Sequence, residues 1–160
     1  MKVLAIDPGY DRLGIAVLEK QNNKEIALFS ACVTTDKKKT AGERLAHIGE
    51  EIKNAIMKWK PDALATETLF LFSNQKTAFR VAEARGVILY EAARAGLPAF
   101  EYTPLQIKIA VTGYGRSDKR QVTDMVIKLV ALPPRKRLDD EYDALAIGLT
   151  CLAMEKFSTY

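Results

Sequence analysis

The order of patterns along this chain predicts an α/β fold, a five-stranded mixed sheet flanked by helices on both faces. Short apolar or alternating runs crowd the first 34 positions, as adjacent antiparallel strands do. From position 40 onward, helical periodicity alternates with further short apolar runs. The length of 160 residues, 48% of them hydrophobic, suits a single domain over 1–160 with one sizeable core.

The first strand is Val3-Leu4-Ala5-Ile6-Asp7, an apolar run stopped by Pro8 and Gly9. Two more follow at about 13–20 and 25–34, joined by the turn residues Gln21-Asn22-Asn23-Lys24. From Thr40 to Trp59, Leu45, Ile48, Ile52, Ile56 and Trp59 recur at helical spacing, with Glu43, Glu50, Lys53 and Lys58 among the polar positions. A fourth strand is expected at 63–67, a helix at about 74–95 closed by Gly96, and a fifth strand at 97–102. Helices at about 104–112 and 117–131 come next, the second with Ser117 and Asp118 as candidate caps. Pro133-Pro134 ends it, and the last helix is placed at about 141–156. Within 74–95, Phe79, Val81, Ala82, Ala84, Gly86, Val87, Leu89 and Tyr90 are apolar over more than one sheet contact requires, which predicts a second covered face.

Four acids stand where this layout lets them meet. Asp7 and Glu67 each end a short strand, and Asp140 and Asp143 are three apart, on one face of the last helix. Taken singly, Asp7 is a turn residue, Glu67 a strand-end charge, and Asp139 or Asp140 a helix N-cap. Together they repel one another by a few kcal/mol per pair, on the order expected at intermediate dielectric. Divalent cations remove that cost. Oxygen-only sites suit Mg²⁺ or Mn²⁺, and two ions about 3.5 to 4 Å apart serve in-line phosphodiester hydrolysis.

The 24 Lys and Arg outnumber the 20 Asp and Glu, giving a net charge of +4, which favours a polyanionic partner. Cys32 and Cys151 lie far apart in apolar surroundings and read as reduced core thiols. No apolar run approaches the roughly 18 residues needed to span a bilayer, so the expectation is a cytoplasmic protein without a membrane partner. The single histidine, His47, falls within the 40–59 helix and reads as structural, and Lys37-Lys38-Lys39 as a solvated loop. Asp11 is expected to perturb the acidic site or to pair with Arg12.

The segments IDPGYDRLGIAV, PDALATETLF, AEARGVILYEAARAGLPAFEYTPLQIKIAVTGYGRSDKRQV and DDEYDALAIGL resemble the RuvC-type Holliday junction resolvases, a branch of the RNase H-like nucleases, over nearly the whole chain. The resemblance implies an RNase H-like nuclease that resolves four-way DNA junctions by paired nicks, with two Mg²⁺ ions per active site. It assigns the catalytic and metal-binding roles to Asp7, Glu67, Asp140 and Asp143, with Asp139 as a competitor for Asp140. It implies that Phe70 stacks near the crossover and that Lys108 and Lys119, with their neighbours Arg116 and Arg120, contact DNA. A homodimer through the 74–95 helix and a RuvA-RuvB-type branch-migration motor are the implied partners. The competing expectations are an RNA-processing nuclease of the YqgF type and a junction-binding module that does not cut.

Overall fold

The structure, a computed structural model, describes residues 1–22, 24–69 and 75–155. Three strands open the chain, β1 (Lys2–Asp7), β2 (Arg12–Gln21) and β3 (Lys24–Thr34), followed by α1 (Ala41–Trp59) and β4 (Ala63–Glu67). Then come α2 (Gln75–Arg94), β5 (Ala99–Tyr102), α3 (Pro104–Thr112), α4 (Lys119–Leu129), β6 (Val130–Ala131) and α5 (Asp139–Met154). The strands form one mixed sheet in the order β5-β4-β1-β2-β3-β6. β1 is central, antiparallel to β2 and parallel to β4.

Strand alternation divides the core in two. Val3 and Ala5 of β1, Ala16 and Leu18 of β2 and Ala65 of β4 face α5, backed by α3 and α4. Leu4, Ile6, Ile15, Val17 and Leu64 face α1 and α2. Small side chains on the α5 face bring that helix close to the sheet: at Gly148 a Cβ would lie 3.2 Å from the Cβ of Ala5. Everything from Ala144 to Leu152 on α5 is buried, so its apolar circumference is a central helix wrapped by sheet, α3 and α4.

The sheet has six strands where the sequence predicts five. The helix expected to run to 131 stops at Leu129, and Val130 and Ala131 pair in parallel with Glu25 and Ile26. Pro133 disfavours helix in the residue before it, and β-branched Val130 finds a buried strand position instead. Asp118, not Ser117, caps α4, accepting from the Gln121 amide at 2.8 Å. α5 begins two residues earlier than expected, after Leu138, so neither Asp139 nor Asp140 is a cap. Its first turn is pinned by Glu141, which is buried and accepts from the Leu138 amide at 3.1 Å, from Ser30 Oγ at 2.7 Å and from Arg135. Burial works against its charge, but these donors hold its carboxyl below the usual range.

The expected second face of α2 is divided. Ala84, Ile88 and Ala92, one turn apart, pack against α1 and the sheet, whereas Phe79 and Tyr90 are 72% and 58% exposed. His47 is exposed on α1. Cys151 is buried, but Cys32 is only half-buried; both are free thiols.

Candidate active site

The parallel pairing of β1 with β4 ends at Ile6 and Thr66, so Asp7 and Glu67 are the next residue on each neighbouring strand. Both share the parity of Ala5 and Ala65, which places their side chains on the α5 face at the carboxyl ends of the strands. α5 delivers Asp140 and Asp143 to the same place. Gly14, paired with Asp7 across β1 and β2, makes that approach possible. A Cβ on Gly14 would lie 2.1 Å from the Asp140 carbonyl oxygen and 3.1 Å from the Asp7 Cβ. The backbone of α5 therefore sits on a glycine whose partner across the strands is the central acid.

Asp7, Glu67 and Asp143 line a cleft of about 250 Å³ together with Lys108, Lys119, Pro104, Ile107, Val122 and Ala146. Burial, then the charges of Asp143, Glu67 and Asp140, push the Asp7 carboxyl up to about 7, against a smaller opposing pull from Lys119. Burial and Asp143 raise Glu67 as well, with Lys108 opposing. Asp140 is among the charges that act on Asp7, and its side chain is 21% exposed against 79% for Asp139. Neither neighbour lines the cleft itself; Asp140 is the less exposed of the two.

Two cations hold the helix acids. Lys119 Nζ donates to Asp143 at 2.9 Å and lies 3.8 Å from Asp139. Burial opposes its charge, but the bond to Asp143 leaves its pKa raised. Arg12 forms an ion pair with Asp140, and the Cys32 thiol lies 3.7 Å from the same carboxylate. The expected Asp11–Arg12 pair is replaced: Asp11 goes to Arg44 and Lys37 because the turn after Asp7 points it toward α1. Among the described residues no three acids are gathered tightly enough to hold one ion as they stand. The donor set still fits hard cations, being all carboxylate and crowded, with burial and the neighbouring acids raising the Asp7 carboxyl.

Lys108 and Lys119 line the cleft, and Arg116, between α3 and α4, and Arg120, on α4, are exposed. Phe70 lies outside the described residues. The contact that sequence reasoning missed is Arg12 with Asp140. The only signal available was the unusual acid and base after the turn, and it suggested the wrong partner.

A sequence profile of the family described as "Crossover junction endodeoxyribonuclease RuvC" matches residues 3–151. The protein of that name from Thermosipho melanesiensis is 48% identical over 155 residues, 97% of this chain and 98% of the relative. Among solved structures, that of Thermus thermophilus RuvC is 33% identical with a TM-score of 0.88, covering 95% of this chain and 93% of the other. The T. thermophilus RuvC structure in complex with a Holliday junction substrate is 34% identical with a TM-score of 0.89, covering 96% and 93%.

Proposed function

Since the chain belongs to the RuvC family of crossover junction endodeoxyribonucleases, we propose that it is a hydrolase that resolves four-way DNA junctions in recombination and repair, by paired symmetric nicks. The observation that carries this reading is the meeting of Asp7, Glu67 and Asp143 in one cleft, with Asp140 close enough for its charge to act on Asp7, whose carboxyl is raised to about 7 by burial first and by these acids second.

These four carboxylates would hold the metal. When bound, two Mg²⁺ ions, or Mn²⁺ in their place, supply Lewis-acid stabilisation to the attacking and departing oxygens of an in-line displacement. The chain's own part is positional. β1 and β4 hold Asp7 and Glu67 on a rigid sheet, and the Glu141 network locks the α5 turn that carries Asp140. Lys108 and Lys119 meet the scissile phosphate, while Arg116 and Arg120 steady the backbone beside it. Phe70, three residues past Glu67, stacks on an unpaired base at the crossover, a contact worth about 1–3 kcal/mol. Such a substrate places the protein in the cytoplasm, with a RuvA-RuvB-type motor as its partner on the junction.

The two-fold symmetry of a junction calls for a symmetric pair of sites, and α2 offers the surface for it. Phe79, Ala82, Gly86, Tyr90 and Ala93 form one exposed stripe, and a Cβ at Gly86 would meet nothing within 4 Å, so a second helix can approach closely there. Replacing Phe79 with Glu should convert a dimer into a monomer of 17.8 kDa in sedimentation equilibrium. A wild-type mass already at the monomer value would count against the pairing.

The deciding experiment offers wild type and Asp7→Asn a mobile four-way junction, a matched duplex and a structured RNA, with Mg²⁺ and with chelator. Paired nicks in the junction alone, dependent on metal and on Asp7, are expected. Cutting of RNA instead would assign the site to RNA processing, and tight junction binding without cutting would leave a binding module.

A further inference from the structure

A second basic hollow lies across the strand ends from the acidic cleft, on the α1 and α2 side of the sheet. It measures about 480 Å³ and is lined by Gly9, Tyr10, Asp11, Arg12, Arg44, Arg80 and Val81. The turn that builds it follows Asp7 directly, so it begins where the acidic site ends.

Its three arginines are not equivalent. Arg44 is committed: its side chain is 10% exposed, donates to Thr35 Oγ1 and the Tyr10 carbonyl, pairs with Asp11, and stands 4.0 Å from the centre of the Tyr10 ring. It forms a wall and cancels Asp11, which Lys37 also meets at 3.3 Å. Arg80 and Arg12 are different, each about half exposed. Arg80 lies 5.4 Å from the Tyr10 ring centre and is otherwise tied to Glu83, one turn along α2, at 2.9 Å. An exposed pair of that kind is worth about 0–1 kcal/mol, so Arg80 can be recruited by a better anion. A phosphate, which an arginine grips through two parallel hydrogen bonds, is such an anion.

We propose that this hollow is a second phosphate subsite, in which Arg80 and Arg12, on either side of the Tyr10 turn, take a backbone phosphodiester of the same DNA strand whose scissile phosphate lies at Asp7. This rests on the junction-cutting function proposed above. Arg12 couples the two places, because in the free protein it reaches out of the hollow to Asp140. Whatever neutralises Asp140 frees Arg12 for the strand, and a strand that takes Arg12 frees Asp140. The linkage is reciprocal by thermodynamic necessity.

The test measures junction binding in chelator, where nothing is cut, across a range of salt. Arg80→Gln and Arg12→Gln should each weaken binding several-fold and lower the slope of log affinity against log salt by about one unit, the loss of one phosphate contact. Arg80→Lys should keep the slope but not the full affinity, and Lys53→Gln on α1 should change neither. A junction carrying one neutral methylphosphonate beside the cleavage position should lose affinity for wild type and not for Arg80→Gln. Thermal melting of each variant separates lost contacts from lost fold. If wild type cuts junctions but Arg80→Gln binds with unchanged affinity and slope, the subsite is refuted and the resolvase reading stands. If wild type neither binds nor cuts junctions, the resolvase reading itself has failed.

Discussion

Asp7→Asn should lower junction cleavage by about a thousandfold or more, the loss of a ligand to ions that act on both oxygens of the displacement. The same substitution should make the metal-free protein more stable at neutral and alkaline pH. The Asp7 carboxyl is raised from 3.8 to about 7 in the fold, so the folded state holds its proton more tightly than the unfolded chain. Below about 4 the group is protonated in both states and costs nothing. Between about 4 and about 7 the unfolded chain releases the proton and the folded one does not, so stability falls as pH rises, by a total of about 4 kcal/mol. Asparagine carries no charge and removes this slope. Urea unfolding of both proteins in chelator should show a stability difference that grows from pH 4 to pH 7 and then levels. A constant difference would mean that the fold does not raise the Asp7 carboxyl.

The second large effect is expected at Gly14. Alanine there puts a methyl group 2.1 Å from the Asp140 carbonyl oxygen and 2.8 Å from its carbon, both backbone atoms that cannot rotate aside. The first turn of α5 or the β1–β2 pair has to move, costing about 3 kcal/mol or more. Because that turn carries Asp140, cleavage should fall further than the stability loss explains. Gly148→Ala is the comparison. It also crowds α5 against the sheet, but its nearest contact is the end of the Leu18 side chain. Denaturation midpoints and cleavage rates, measured together, should therefore separate the two variants. Equal loss of activity per unit of lost stability would remove Gly14 from any special place beside the site.

The strand ends bearing Asp7 and Glu67 were legible in the sequence because Pro8 stops one apolar run and Pro61-Asp62 introduces the other. The spacing of Asp140 and Asp143 on one helix face was legible for a similar reason: a local rule governs it. What escaped were relations between distant positions. Nothing local says that Arg12 meets Asp140, 128 residues away. A glycine inside a strand does not announce which backbone lies over it, so the role of Gly14 emerged only with α5 in place. The two-residue β6 is shorter than any periodicity, and its partner Glu25–Ile26 lies at the far edge of the sheet. The apolar excess of α2 was visible, but the sequence could not say which side chains the fold itself would cover.

The acids occupy positions 7, 67, 140 and 143, and the last two arrive on the helix that closes the core. A chain leaving the ribosome N-terminus first at about 5–20 residues per second therefore carries half of its acids for several seconds before the other half exists. Contacts between β1 and α5 are also among the most distant in sequence, and such contacts form late. An incomplete or partly folded copy thus holds at most two of the four carboxylates in place. For a protein whose proposed chemistry breaks the chromosome, this wiring withholds cutting until α5 has been made and has docked on the sheet, without a separate inhibitor.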